Sequence, residues 1–84
     1  MRLYHCTVAS LKAIILKKGL MIDKALVDNK IFLSTHPQYC YGNTCFSVDV
    51  DGLDIKQTIN KWEYTYSGSI SPTRIKYYGH KEVE

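Results

Sequence analysis

The chain opens with alternating residues that predict a β-strand over Arg2–Cys6. Leu3 and His5 fall on one face of this strand and Tyr4 and Cys6 on the other, because successive side chains of a strand point to opposite faces. An imidazole and a thiol on opposite faces do not readily hydrogen-bond, so the pattern disfavours a Cys6 nucleophile with His5 as its base.

A helical period follows the first strand. The apolar residues that recur at helical spacing are Val8, Leu11, Ile14 and Ile15. Thr7 is a suitable N-cap before them, and Gly19 is the residue type that ends a helix in a left-handed conformation. The spacing predicts a helix over Val8–Lys18. The unpaired N–H groups at the start of such a helix suit phosphate or ribose oxygens, close to His5 and Thr7.

The rest of the chain consists of short β-type runs separated by turn residues. The predicted strands are Ile31–Ser34, Thr44–Val50, Trp62–Tyr66 and Ile75–Tyr78. Single helical turns are predicted within Pro37–Tyr41 and after Ser71, while Ile55–Lys61 fits either a loop or a helical turn. The tail from Gly79 is charged and expected to fray. One early helix followed mostly by strands predicts a small α+β fold, with residues 1–84 as one domain.

Composition narrows the class of protein further. The chain has 84 residues, of which 45% are hydrophobic and 23% charged, as in a globular domain. The net charge of +3 is compatible with an anionic ligand such as a nucleotide, and too small to indicate a nucleic-acid partner by itself. Without a long apolar run, no membrane partner is expected. Three cysteines do not indicate a disulfide framework, which predicts a cytoplasmic protein.

Two regions combine hydroxyl, aromatic and acidic side chains in a way that suits ligand binding. Ser34–Tyr41 is interpreted either as a tyrosine-covered loop or as a strand end offering hydroxyls and a flat aromatic surface. Glu63 lies between two aromatic residues that should face the core, so it should face solvent or a cleft. His5 is either a structural histidine or a ligand contact.

Three residues of the metal-binding types lie in one part of the chain. His36, Cys40 and Cys45 could supply three zinc ligands, but their spacing matches no closed tetrahedral site, so no metal is expected. The sequence also lacks a P-loop, a Rossmann glycine motif and a nucleophile elbow.

The ordered segments nevertheless resemble the ADP-ribosyltransferase superfamily. The segments that carry the resemblance are Leu3–Thr7, Lys18–Leu20, Ile31–Ser34, Phe46–Gly52, Trp62–Tyr64 and Ile70–Ile75. The first four are similar, in order, to the family's Y-H-G-T strand, its I-x-x-x-G-L helix end, its V-Y-L-S strand and its V-L-x-V-D-V-x-G strand. The last two together are similar to the family's terminal E-x-x-V…I-P-P-x-x-I segment. The resemblance implies a small, split antiparallel sheet core with one main helix, and NAD as substrate.

The resemblance also implies roles for individual residues in the first half of the chain. His5 would hydrogen-bond a ribose hydroxyl of NAD. The backbone at Cys6, together with Thr7, would hold the nicotinamide amide. Ser34 would line the cleft, and Tyr39 or Tyr41 would stack on the nicotinamide ring.

Glu63 would be the catalytic glutamate in this resemblance. Cleavage of the C–N bond leaves positive charge on the ribose, and a fixed carboxylate stabilises that state more than the ground state. The implied activity is NAD-dependent transfer of ADP-ribose to a macromolecular acceptor, protein or nucleic acid, with Glu63 and His5 as catalytic residues.

Departures from the family pattern favour an alternative. Cys6 stands where the family usually has glycine, and the arginines are limited to Arg2 and Arg74, which argues against the RNA 2′-phosphotransferase branch. The alternative is a catalytically inactive module that binds NAD, ADP-ribose, a related signalling nucleotide or a protein partner. A small structural protein with a tyrosine-rich surface is the third interpretation.

Overall fold

A computed structural model of the protein describes residues 1–22, 30–40 and 42–80. In these ranges six antiparallel strands form one sheet in the order β4-β5-β2-β1-β3-β6. The strands are β1 (Arg2–Thr7), β2 (Ile31–Ser34), β3 (Thr44–Asp49), β4 (Lys56–Gln57), β5 (Glu63–Tyr66) and β6 (Ile75–His80). The short helix α1 (Lys12–Lys18) lies between β1 and β2 in the chain. The predicted α+β fold with an antiparallel sheet is confirmed.

The start of the helix differs from the prediction. Thr7 is the last residue of β1, where it pairs with Thr44, so it does not cap a helix. A 3-10 turn over Ala9–Leu11 follows, and α1 begins only at Lys12, without a side-chain cap. The residue that directly precedes the first helical turn is Val8, whose apolar side chain makes no capping hydrogen bond. The predicted phosphate-binding corner between His5, Thr7 and a helix N-terminus is therefore not formed as expected.

The apolar face of the helix is also more exposed than its spacing predicts. Ile15 is 6% exposed and packs in the core, whereas Val8, Leu11 and Ile14 are 55%, 43% and 46% exposed. Val8 precedes the 3-10 turn and Leu11 ends it, so neither belongs to a continuous helix, and 3-10 and α geometries differ in residues per turn. Ile14 lies within α1, whose buried residue is Ile15.

Gly19 ends α1 with a positive φ of 85°, as the sequence predicts. A Cβ at this position would lie 2.1 Å from the carbonyl oxygen of Ile70. Leu20 pairs with Ile70 through two backbone hydrogen bonds of 2.8 and 2.9 Å directly after the glycine. Glycine is therefore required both for the backbone conformation and for the close approach of two chain segments.

One face of the sheet carries the hydrophobic core. The most deeply buried apolar side chains of the core cluster are Leu3, Leu33, Phe46, Val48 and Ile70, each at most 1% exposed. Tyr64 and Tyr66 of β5 pack against this cluster, so the prediction that they face the core is confirmed. Trp62 was expected to join them, but β5 begins one residue later and Trp62 lies outside the cluster.

Other element boundaries follow local sequence signals closely. Ser71 caps the 3-10 turn Pro72–Arg74 by accepting the N–H of Thr73 at 3.3 Å, as predicted. The ambiguous segment contains the two-residue strand β4. β6 continues through Gly79 and His80, so the expected fraying does not begin at Gly79, and 81–84 lie outside the described residues. No helix in the described part of the chain is long and apolar enough to span a bilayer.

β1 makes unequal contacts with its two neighbours. It pairs with β3 at six positions and with β2 at the single position Tyr4–Ser34. The sheet is continuous across all six strands, and the pairing between β1 and β2 is its shortest.

Candidate ligand-binding site

A row of polar side chains crosses three strands on the sheet face opposite the core. Tyr4 of β1 is the cross-strand partner of Ser34 in β2, and Ser34 is the partner of Glu63 in β5. Direct antiparallel partners point to the same face, so these three side chains are neighbours. We call Tyr4, Ser34 and Glu63 the polar row. The structure thus brings together Ser34 and Glu63, two of the residues predicted from sequence.

The Glu63 carboxylate is held by the turn between β4 and β5. The Thr58 hydroxyl donates a hydrogen bond of 2.8 Å to Oε1 of Glu63, and the Thr58 N–H donates to the Glu63 carbonyl at 3.0 Å. Glu63 is half-buried, whereas Ser34 is only 5% exposed. The carboxylate therefore has a fixed orientation and is the more accessible member of this pair. Its predicted orientation away from the core is confirmed.

An aromatic pair lies beside the polar row. Tyr39, in the 3-10 turn Pro37–Tyr39, stacks on Trp62 with ring centroids 5.2 Å apart and planes inclined by 30°. The Thr35 N–H donates to the Trp62 carbonyl at 2.9 Å, which ties the chain leading into this turn to the residue before Glu63. Tyr39 remains 44% exposed. A flat aromatic surface is therefore available within one residue of the carboxylate.

Trp62 and Thr58 were missed as site residues by the sequence analysis. The alternation of Trp62 with Tyr64 and Tyr66 indicated a core position for Trp62, although it directly precedes an outward-facing glutamate. Nothing in the sequence around Thr58 indicates its role, because its hydrogen bond to the Glu63 carboxylate forms only where the chain reverses between β4 and β5. Tyr41, the alternative stacking residue, lies outside the described residues.

His5 lies on the other face of the sheet from Glu63. Its cross-strand partner is the buried Phe46, and its neighbour Tyr4 belongs to the polar row. The Nδ1–H of His5 donates a hydrogen bond of 2.9 Å to the Phe32 carbonyl, across the gap where β1 and β2 are not paired. Burial lowers the pKa of His5, and the bond to Phe32 opposes this in part. The structure therefore places a neutral imidazole between the two strands rather than beside the carboxylate.

Cys6 occupies space on the polar side of β1. Its thiol donates a weak contact of 3.8 Å to the carbonyl of Pro37, at the start of the turn that carries Tyr39. A glycine, which the resemblance leads one to expect here, would leave that space open for the backbone to approach a ligand. The carbonyl of Thr7 accepts the N–H of Asn43 at 3.2 Å. Both positions predicted to hold the nicotinamide amide are thus in contact with the following loop.

The histidines and cysteines predicted as possible zinc ligands do not form a metal site. In the ranges given above, no three His, Cys, Asp or Glu residues are grouped so that they could hold a metal ion. His36 instead bonds the Thr35 hydroxyl through Nδ1 at 3.0 Å and packs edge-on against Tyr39. It belongs to the aromatic surface.

No protein-family model, curated protein or solved structure matches the chain. The chemistry of the site therefore rests on its own geometry. That geometry offers a fixed carboxylate, an adjacent hydroxyl and an exposed aromatic pair.

Proposed function

We propose that the protein is a nucleotide-binding module that holds NAD, ADP-ribose or a related adenine nucleotide without turning it over. The observation that carries this proposal is the direct pairing of Ser34 with Glu63 beside the Tyr39–Trp62 stack. A flat base or nicotinamide ring would stack on Tyr39, and ribose hydroxyls would donate to the Glu63 carboxylate. The net charge of +3 favours the phosphates of such a ligand.

Binding without turnover is favoured over catalysis by two observations. The imidazole of His5 and the carboxylate of Glu63 belong to opposite faces of the sheet, so the strands do not direct both side chains at one ribose. The Cys6 side chain fills the space that a glycine would leave next to the turn. Both features weaken the expected catalytic arrangement while leaving the Glu63 side of the site intact.

Transfer of ADP-ribose from NAD is the second candidate function. It is favoured by the fixed orientation of Glu63, whose Oε1 accepts the Thr58 hydroxyl. In this reaction the C–N glycosidic bond breaks, nicotinamide leaves with the bonding electrons, and a nucleophile of the acceptor bonds to the ribose carbon. A preorganised carboxylate would stabilise the positive charge that develops on the ribose.

Calorimetric titration with NAD and ADP-ribose tests the first proposal, combined with chromatographic detection of nicotinamide. Binding of either nucleotide without nicotinamide release is expected. Tyr39→Ala should weaken binding about tenfold or more, since stacking of a base on an aromatic ring contributes roughly 1–3 kcal/mol. Tyr77→Ala is the matched control, because Tyr77 is 40% exposed and lies against Lys12 and Phe46, away from the site.

Glu63→Gln separates the two candidate functions. If the protein only binds nucleotide, the variant changes affinity and nicotinamide is absent throughout. If it is a transferase, the unmodified protein releases nicotinamide and Glu63→Gln abolishes the release. Asp54→Asn removes an exposed carboxylate elsewhere and should change neither result. Failure of the folded protein to bind any adenine nucleotide would overturn both candidates.

A further inference from the structure

The three cysteines lie close together in the fold, although Cys6 is far from Cys40 and Cys45 in the sequence. Cys6 in β1 and Cys45 in β3 are direct cross-strand partners, so their side chains leave the same face of the sheet. Cys40 follows the turn Pro37–Tyr39 and lies against β1 on that face. All three are thiols in this structure. We call Cys6, Cys40 and Cys45 the thiol cluster.

Two members of the cluster make reciprocal contacts between β1 and the turn. The Cys40 thiol donates to the Tyr4 carbonyl at 3.4 Å, and the Cys6 thiol contacts the Pro37 carbonyl at 3.8 Å. Each thiol therefore touches the segment that carries the other. The two side chains also hydrogen-bond each other, so the two sulfur atoms that a disulfide would join are neighbours.

Cys6 and Cys40 differ from Cys45 in their exposure to solvent. Cys45 is fully buried, at 0% exposed, between β1 and β6. Cys6 and Cys40 are both partly exposed. A soluble oxidant therefore reaches the Cys6–Cys40 pair and not Cys45.

The surroundings of Cys6 affect its acidity. The hydrogen bond with Cys40, then burial, then the hydrogen bond with Cys45 raise the pKa of Cys6 far above its usual range. These influences disfavour the thiolate form of Cys6. Because the thiolate is the nucleophile, we assign the first attack to Cys40 rather than to Cys6.

We propose that Cys6 and Cys40 form a reversible disulfide, with a small-molecule disulfide such as glutathione disulfide as the oxidant. The Cys40 thiolate attacks one sulfur of glutathione disulfide, and the first glutathione leaves and takes up the proton lost by Cys40. Cys6 then loses its proton and attacks the Cys40 sulfur of the mixed disulfide, releasing the second glutathione with that proton. Two protein thiols are oxidised by two electrons, and one glutathione disulfide is reduced to two glutathione molecules.

The second step is favoured by the first. Once the Cys40 sulfur is bonded to glutathione, the hydrogen bond between the two thiols is lost, so the largest influence that raises the pKa of Cys6 is removed. The disulfide fastens the turn that carries Tyr39 to β1. Oxidation therefore fixes the position of the aromatic surface, whether or not that surface binds a nucleotide.

Peptide mapping of the full chain after exposure to glutathione disulfide tests the proposal. The reduced protein is incubated with the oxidant, quenched with acid, alkylated and digested. A peptide linking Cys6 to Cys40 with Cys45 alkylated is expected, and dithiothreitol should reverse the link. A link that includes Cys45, or alkylation of all three cysteines, would overturn it.

Two variants sharpen the assignment. Cys6→Ser should lose the internal link and accumulate a glutathione adduct on Cys40, because the resolving thiol is missing. Cys45→Ser is the matched control and should form the same Cys6–Cys40 link as the unmodified protein. Circular dichroism verifies that each variant folds. Should Cys45→Ser fail to fold, mapping of the unmodified chain decides the result by itself.

Discussion

The two faces of β1 put neighbouring residues into different environments. Leu3 and His5 face the core, where their cross-strand partners Val48 and Phe46 are both 0% exposed. Tyr4 and Cys6 lie on the opposite face, where Tyr4 belongs to the polar row and Cys6 to the thiol cluster. A short strand in a small domain thus supplies the core from one side and chemically versatile groups from the other. The core face should control stability, and the polar face should control binding and redox behaviour.

The largest expected effect is on the core face. Phe46→Ala removes a fully buried ring and should lower the free energy of unfolding by about 3–5 kcal/mol. The total free energy of unfolding of a folded domain is roughly 5–15 kcal/mol. The variant should therefore begin to unfold at low urea concentration. Urea denaturation followed by circular dichroism measures the change. If Phe46→Ala lowered the free energy of unfolding no more than Tyr39→Ala on the polar side does, the two faces would not differ in their contribution to stability.

The next largest effect should come from oxidation of the polar face. A Cys6–Cys40 disulfide closes a loop of intermediate length and should raise the free energy of unfolding by about 3–4 kcal/mol, chiefly by restricting the unfolded chain. Urea denaturation of the oxidised and reduced forms gives the difference. Cys6→Ser under the same conditions is the control and should show no gain. An oxidised form less stable than the reduced one would indicate that the bond strains the turn.

A smaller effect should appear as a pH dependence that belongs to the core face. Burial lowers the pKa of His5 from its usual 6.5, so the folded state binds fewer protons than the unfolded state just below that value. Stability should be complete above pH 6.5 and fall as the pH decreases below it, by at most about 1.4 kcal/mol per pH unit for a single proton. Thermal denaturation over this range measures the slope.

His5→Gln is the variant that isolates the pH effect. It should remove the slope, whereas His36→Gln on the exposed aromatic surface should retain it. Asp51 contributes at lower pH, because its hydrogen bond with the N-terminal ammonium of Met1 lowers its pKa from 3.8. Stability from that pair is present above pH 3.8 and is lost as the pH falls through the lowered pKa. A slope between pH 3.8 and 6.5 that persists in His5→Gln would contradict the assignment to His5.

The smallest effect on stability should come from the aromatic surface. Tyr39→Ala removes an exposed ring that stacks on Trp62, and should lower the free energy of unfolding by about 1 kcal/mol. Trp62 is the single tryptophan of the chain, so its emission should report the lost stack directly. Unchanged emission would show that the two rings do not remain stacked in solution.

Local sequence signals predicted the elements whose conformation is decided by neighbouring residues. The alternation over Trp62–Tyr66 correctly assigned two tyrosines to the core and the glutamate to the opposite face, although Trp62 lies outside the core cluster. Gly19 and Ser71 marked a helix end and a turn cap, which depend on the φ available to glycine and on a hydroxyl within reach of a nearby N–H. These properties act over a few residues, so a single sequence reveals them.

Tertiary pairing decided the features that join distant segments. Thr7, predicted to cap the helix over Val8–Lys18, instead pairs with Thr44 at the end of β1, and the α-helix begins only at Lys12 after a 3-10 turn. The same pairing opposed Cys6 to Cys45. Register between remote segments depends on the packing of the whole sheet, which no local pattern contains.

The candidate site shows the same division. Sequence alone selected Ser34, Glu63 and Tyr39 by residue type and determined that Glu63 would point away from the core. Only the tertiary structure put Ser34 opposite Glu63, stacked Tyr39 on Trp62 and separated His5 from both. Side-chain alternation is fixed by the covalent geometry of a strand, whereas the identity of the neighbouring strand is fixed by burial of the core.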